Sequence, residues 1–167
     1  MVDKTKWPRP AAWAITQNEK LWTEFDSVAD PSVIIGWSLG DSYRTSMMRP
    51  GDRALFWMTG PSGGIARIGF VLSTEKTPKG RWVASDGKRH KAPYSGEFFM
   101  PPLPNRRYIH RSALLADPRL QDCELLSTAS QQPGPLRIEA KEWKSIEKLL
   151  RRFDQTSAEF RSSWPQR

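Results

Sequence analysis

The chain has one cysteine, Cys123, and two histidines, His90 and His110, in 167 residues. A single thiol excludes an internal disulfide, and one thiol with two distant imidazoles matches no common metal-ligand spacing. No metal and no cofactor are expected. Long apolar runs are also missing. Nothing approaches the roughly 18 residues of a membrane span, and the stretch from Met1 to Trp7 lacks the apolar core of a signal peptide. These absences lead to the expectation of a soluble, cytoplasmic protein with no membrane partner. Acidic residues are scarce where basic ones are dense. Residues 75–111 hold nine Lys/Arg against three Asp/Glu, a surplus of six out of a net charge of +8. A field concentrated in one segment suits a polyanionic partner. A solvated basic loop is the plainer alternative.

Aromatic and turn-forming residues are plentiful. Eight Trp, seven Phe and three Tyr stand beside fourteen Pro and eleven Gly. Many turns and short elements favour a β-rich α+β domain over a helical bundle. Residues 1–11 read as a flexible arm, 12–153 as one domain, and 154–167 as a polar tail. Ala12 to Ile15 reads as a buried strand, and Thr16-Gln17-Asn18-Glu19 as a capping box opening a helix. Val33 to Ile35 is a short apolar run. Asp41 would cap a helical turn ending near Met48. Ala54 to Met58 and Ile65 to Leu72 form a hairpin across Gly60-Pro61-Ser62-Gly63-Gly64, which lacks the Gly-Lys-Ser/Thr ending of a phosphate loop. Gly69 marks a bulge or a close backbone approach. Trp82-Val83-Ala84 adds a strand before a basic loop, and Glu97 to Met100 an edge strand. Arg111 to Ala116 is helical, and Leu136 to Ile138 a last strand. Glu139 to Phe153 carries the apolar stripe Trp143, Ile146, Leu150, Phe153, with Glu147 spaced to pair with Arg151. Five or six strands with interspersed helices result.

Gly36-Trp37-Ser38-Leu39-Gly40 admits two chemistries. It matches the nucleophile elbow of a serine hydrolase, with Ser38 as the nucleophile. Only 37 residues precede Ser38, too few for the strands such a fold places first, and both histidines sit in basic, turn-rich segments. The other chemistry is an aromatic pocket. A nucleobase stacked on an aromatic ring gains about 1–3 kcal/mol, and reading a modification on one base requires extruding it from its stack. Trp13, Trp37, Trp57, Trp82 and Tyr43 are candidate walls, and Thr16, Gln17, Asn18 and Ser38 can meet a base edge. Most tryptophans in such a domain are core residues, and Trp57, Trp143 and Trp22 fit that description. Trp37, between Gly36 and Ser38, is placed at a chain bend and serves better as a wall.

Arg49-Pro50-Gly51-Asp52-Arg53-Ala54-Leu55-Phe56-Trp57 and Ile65-Ala66-Arg67-Ile68-Gly69-Phe70-Val71 resemble the core hairpin of EVE domains, members of the PUA-like superfamily related to YTH and ASCH domains. Trp13-Ala14-Ile15, Gly80-Arg81-Trp82-Val83, Leu115 to Leu120 and the Glu142-Trp143 helix follow in family order. The resemblance spans about residues 12–150. It implies a small mixed β-barrel flanked by helices, with a pocket for a modified base and no catalytic residues. Gly36-Trp37-Ser38 with Tyr43-Arg44 also looks like the YTH segment that supplies one wall of a methyladenine cage. By that likeness Trp37 stacks on the base and Asn18 meets its edge; Trp13, Trp82 and Tyr43 remain the further candidate walls, and Thr16 and Ser38 the further edge contacts. The insert 86–107 is longer and more basic than is usual in the family. Its Lys88, Arg89, Lys91, Arg106 and Arg107 would hold phosphates. The implied partner is DNA carrying methylated or hydroxymethylated cytosine or methyladenine, with modified RNA second. Any nuclease effector would be a separate chain. A small-molecule or partner-binding module of the same superfamily is a further alternative.

Overall fold

The computed structural model describes residues 8–18, 32–40, 42–60, 63–77, 81–83, 89–91, 93–101, 103, 109–127 and 135–153. Nine strands and four helices are present among them: β1 (Ala12–Asn18), β2 (Val33–Leu39), α1 (Tyr43–Met47), β3 (Arg53–Thr59), β4 (Gly64–Lys76), β5 (Arg81–Val83), β6 (Arg89–Lys91), β7 (Tyr94–Phe99), β8 (Ile109–His110), α2 (Arg111–Leu115), α3 (Glu124–Ser127), β9 (Leu136–Ile138) and α4 (Ala140–Phe153). The main sheet runs β2-β7-β4-β3-β1-β9, with β8 on β4, and β5 and β6 form a separate two-stranded ribbon. The fold is α+β, as expected. Among the described residues the sheet ends at β2 and β9 and is not closed, and it has more strands than the five or six read from the sequence.

Apolar alternation explains the two-sided core. Along β3, Leu55 and Trp57 join one cluster, while Ala54 and Phe56 join the other. The first cluster is covered by α4 through Trp143, Ile146 and Leu150, with Leu114 of α2 and Leu125 and Leu126 of α3. The second gathers Trp13, Ile15, Ile34, Leu39, Met48, Ala54, Phe56, Val71, Phe98 and Met100. Trp57 and Trp143 are core residues, 2% and 3% exposed.

Local chemistry departs from the sequence reading in several places. Thr16 to Asn18 do not start a helix. They extend β1 in parallel pairing with Trp57, Met58 and Thr59; ladder hydrogen bonds to a buried neighbour outweigh a capping signal. The expected helix after them, with Trp22, lies outside the described residues. The cap of α1 is Ser42, whose Oγ accepts from Thr45 N at 3.3 Å. The Glu97–Met100 segment belongs to β7, which lies between β2 and β4 and is not an edge. Glu147 does not need Arg151: its Oε1 accepts from Trp143 Nε1 at 2.6 Å, because a buried indole N–H requires an acceptor. Gly69 is a close approach, since a Cβ there would sit 1.7 Å from Phe99 O. Residues 8–11, read as arm, are docked: Ala11 N donates to Ile138 O at 2.8 Å, and Arg137 Nη2 to Pro8 O at 2.6 Å.

Candidate nucleic-acid interface

Trp37 lies inside β2, directly after a bulge, and not at a chain bend. Ile34 pairs with Phe98 and Trp37 with Gly96, so Ile35 and Gly36 together oppose one residue of β7. The extra residue turns Trp37 to the same face as Ile34. There it meets Phe56 edge-on, centroids 4.8 Å apart at 86°, and Phe56 in turn contacts Phe98 at 6.0 Å. Trp37 is half-buried. Three partly buried side chains pack against the second cluster from outside: Trp37, Met47 and Tyr94. They form its rim.

Register extends this face across three strands. Trp37 aligns with Gly96 and Thr74, and Leu39 with Tyr94 and Lys76. Thr74 is half-buried and Lys76 exposed. The β5–β6 ribbon emerges where Lys76 ends β4 and Tyr94 begins β7, and Thr77 N closes its base by donating to Pro93 O at 2.7 Å. Within it, Arg81 pairs with Lys91, Trp82 with His90 and Val83 with Arg89. The basic segment is thus anchored at the same end of the sheet as the rim.

The other expected site residues fall elsewhere. Trp13 is 1% exposed, and its indole N–H donates to Asp52 Oδ2 at 3.0 Å. Its ring is core and offers no open face to a ligand. Ser38 alternates away from Trp37 and Leu39 and joins a polar outer row with Ser95 and Glu75. Thr16 shares the face of Ala14 and Trp57, on the first cluster's side. Neither hydroxyl is brought to the rim. Tyr43 caps a local network: its hydroxyl accepts from Arg44 Nε at 3.4 Å. Arg44 also pairs with Glu124, whose Oε2 accepts from Arg137 N at 2.9 Å. Burial alone would lower the Arg44 pKa, but the hydrogen bonds it donates to Tyr43 and Glu124 outweigh that and the net shift is upward. Asn18 and Trp82 have placed backbones in β1 and β5, as do Arg89 and Lys91 in β6; their side chains, and all of Lys88, Arg106 and Arg107, lie outside the described residues.

The hydrolase alternative loses its geometry. An elbow needs the serine on a sharp strand-to-helix turn, whereas Ser38 is laddered in β2 opposite Ser95. Cys123 is buried, and that burial raises its thiol pKa, which makes it inert. Among the described residues no three His, Cys, Asp or Glu side chains could hold a metal, and no helix is long and apolar enough to cross a membrane.

No protein-family model matches the chain, and no curated protein matches it in sequence. Solved structures do match in fold. A hypothetical protein from Leishmania major superposes with a TM-score of 0.61 at 14% identity, covering 87% of this chain and 98% of that one. Rpa0253 from Rhodopseudomonas palustris gives 0.59 at 22%, covering 83% and 92%. Human THYN1, in complex with 5-methylcytosine-containing DNA, gives 0.57 at 13%, covering 83% and 96%. The DUF55 domain of human thymocyte nuclear protein 1 is also similar. The chain therefore has the DUF55/EVE-type fold, in agreement with the resemblance noted in its sequence.

Proposed function

We propose that this protein is a non-catalytic module that binds DNA carrying a modified base, extruded from the helix and stacked against Trp37. The observation that carries this reading is the half-buried Trp37 ring, standing edge-on to Phe56 at the rim of an apolar, aromatic-rich cluster. A ring packed at right angles against a buried neighbour is partly ordered before any ligand arrives, so stacking costs less side-chain entropy. Support comes from the shared fold with a structure bound to 5-methylcytosine-containing DNA. The basic ribbon at the same end of the sheet suits phosphates flanking the extruded nucleotide, with Arg89 and Lys91 on β6 and Lys88 preceding them in sequence. Methylated or hydroxymethylated cytosine is the first candidate base. The reading needs no catalytic group, and any strand cleavage would need a nuclease on another chain.

The test is a pair of duplexes differing in one 5-methylcytosine, titrated by fluorescence anisotropy at two salt concentrations. Wild type should prefer the modified duplex, and affinity should fall steeply with salt. Trp37→Ala, with an unchanged circular dichroism spectrum, should lose about 5- to 100-fold on the modified duplex. Equal affinity for both duplexes in the wild type would refute the reading.

A further inference from the structure

The outer face of α4 is basic along its whole length. Among the described side chains, the exposed residues of this helix are Ala140, Lys141, Lys144, Lys148, Arg151 and Arg152. Its two acids are turned inward and engaged. Glu142 is 7% exposed and accepts from Glu139 N at 2.7 Å, and Glu147 accepts from the Trp143 indole N–H. We infer that this face is a second, sequence-independent contact for the phosphates of DNA, separate from the base pocket proposed above and not dependent on it. α4 covers the first cluster, whereas Trp37 rims the second, so the two surfaces lie on opposite sides of the sheet. A count of charges along the chain hides this face, because Glu142 and Glu147 cancel two cations in the sum but not at the surface.

Helix stability does not account for the arrangement. An exposed helix face ordinarily mixes signs, with Glu and Lys paired at i and i+4. Here Lys144 and Lys148 stand at that spacing, and Lys148 and Arg152 repeat it, so like charges face each other at a cost to the helix. Lys141 lies in the first turn, where the helix dipole disfavours a cation; Arg151 and Arg152, in the last turn, are the two it favours. Among the described residues none of the five cations is held in an ion pair. Asp117, in the turn after α2, is close enough to Lys148 to feel its charge, but Arg119 already holds it through hydrogen bonds of 2.9 and 2.7 Å. At 1.5 Å per residue the ladder from Lys141 to Arg152 is about 16 Å long. A duplex presents one charge about every 1.7 Å of its axis, so several phosphates come within reach of these side chains. Trp143, Ile146, Leu149 and Leu150 are turned into the first cluster and cannot seat in a lipid surface, which takes an apolar face as well as charge. A phosphate backbone needs the charge alone.

The experiment uses the full chain and the duplex pair with and without one 5-methylcytosine, titrated at several salt concentrations. The triple variant Lys144→Gln/Lys148→Gln/Arg151→Gln should lower the slope of log affinity on log salt by about 2–3 and bind at least about tenfold more weakly at about 0.1 M salt. The loss should be equal on both duplexes, so the ratio between them is kept. Lys144→Arg/Lys148→Arg should bind within about twofold of wild type. The triple variant should melt at or slightly above wild type, because like-charge repulsion is relieved. Arg9→Gln removes one exposed cation off the helix and should leave the slope within about 0.3. An unchanged slope in the triple variant overturns the inference, and so does a loss per charge in Arg9→Gln as large as on α4, which would make net charge the cause. Loss of the modified-to-unmodified ratio in the triple variant would mean that α4 acts on the base pocket, against a separate surface. Binding to phosphatidylserine vesicles that the triple variant loses, with its DNA slope unchanged, would assign the face to a membrane instead. If wild type shows no preference for the modified duplex, the base-binding reading falls and the slope still decides the α4 contact. If wild type binds neither duplex, both fall.

Discussion

Replacing Asp52 by alanine should cost this protein about 2–4 kcal/mol of stability. Asp52 Oδ2 accepts from the Trp13 indole N–H at 3.0 Å and from Arg49 N at 2.9 Å, and Oδ1 pairs with Arg9. The three bonds are not equal. Trp13 is 1% exposed, so its N–H relies on this carboxylate for an acceptor, and losing the acceptor of a buried donor costs about 1–3 kcal/mol. The Arg49 amide holds the turn Arg49-Pro50-Gly51-Asp52, in which Gly51 sits at φ 84°. Losing that bond adds about 0.5–1.5 kcal/mol. The Arg9 side chain is 52% exposed, and an ion pair so open to solvent contributes about 0–1 kcal/mol. For a domain of this size each kcal/mol lowers Tm by about 2–4 °C, so Asp52→Ala should melt about 5–15 °C below wild type. Arg9→Ala should stay within about 3 °C. Thermal unfolding followed by near-ultraviolet circular dichroism reads both, and the indole environment gives a direct probe of Trp13. If Arg9→Ala destabilises as much as Asp52→Ala, the ranking by burial is wrong. If Asp52→Ala melts with wild type, Trp13 does not depend on that acceptor.

Gly69→Ala should abolish soluble folded protein or lower stability by about 3 kcal/mol or more, since the new methyl would meet the Phe99 carbonyl backbone at 1.7 Å and push β4 from β7; expression and urea unfolding check it. Glu124→Ala should cost about 2–3 kcal/mol, because it removes the carboxylate that pairs with Arg44 and accepts from the Arg137 amide, both partly buried; Glu124→Gln, which keeps an acceptor for the amide, should lose less in the same urea titration. Asp117 should titrate at about 2 in carboxyl-detected NMR, held down first by the side-chain hydrogen bond from Arg119. Its folded value lies below the unfolded one, so its contribution to stability is present above about pH 4 and fades as pH falls through about 2. In Arg119→Ala the resonance should move up toward the ordinary carboxylate range; an unmoved resonance would sink that attribution.

Several elements were legible because they depend on neighbours in sequence. The α4 stripe Trp143, Ile146, Leu150 is a 3.6-residue period, and it is found on the first cluster. The Ala54–Met58 strand, apolar on both faces, is found between two cores. The Gly60–Gly64 hairpin and the close approach at Gly69 follow from residue type alone. The candidate site was legible only at Trp37, which is found at the rim although the reason given for it, a chain bend, was not the structural one. The place of Tyr94 on the rim of the second cluster was hidden by Pro93 and Gly96, which made its segment look like the end of a basic loop. That Ser38 and Thr16 face away from the Trp37 rim was not legible, because deciding which side of a sheet a strand residue occupies requires knowing where the bulges fall.

By itself the sequence determined composition, charge placement and most element types: an α+β chain, one basic segment, a terminal amphipathic helix, and two tryptophans bound for the core. Those follow from short-range periodicity and from transfer of apolar side chains out of water, which act residue by residue. Only the tertiary structure decided that the sheet stays open, that β7 lies between β2 and β4, and that Trp37 and Tyr94 share one face. The physical reason is register. A single extra residue at Ile35–Gly36 reverses the facing of everything after it, and the long-range hydrogen bonds and packing that fix such a bulge are not written in any local stretch of the chain.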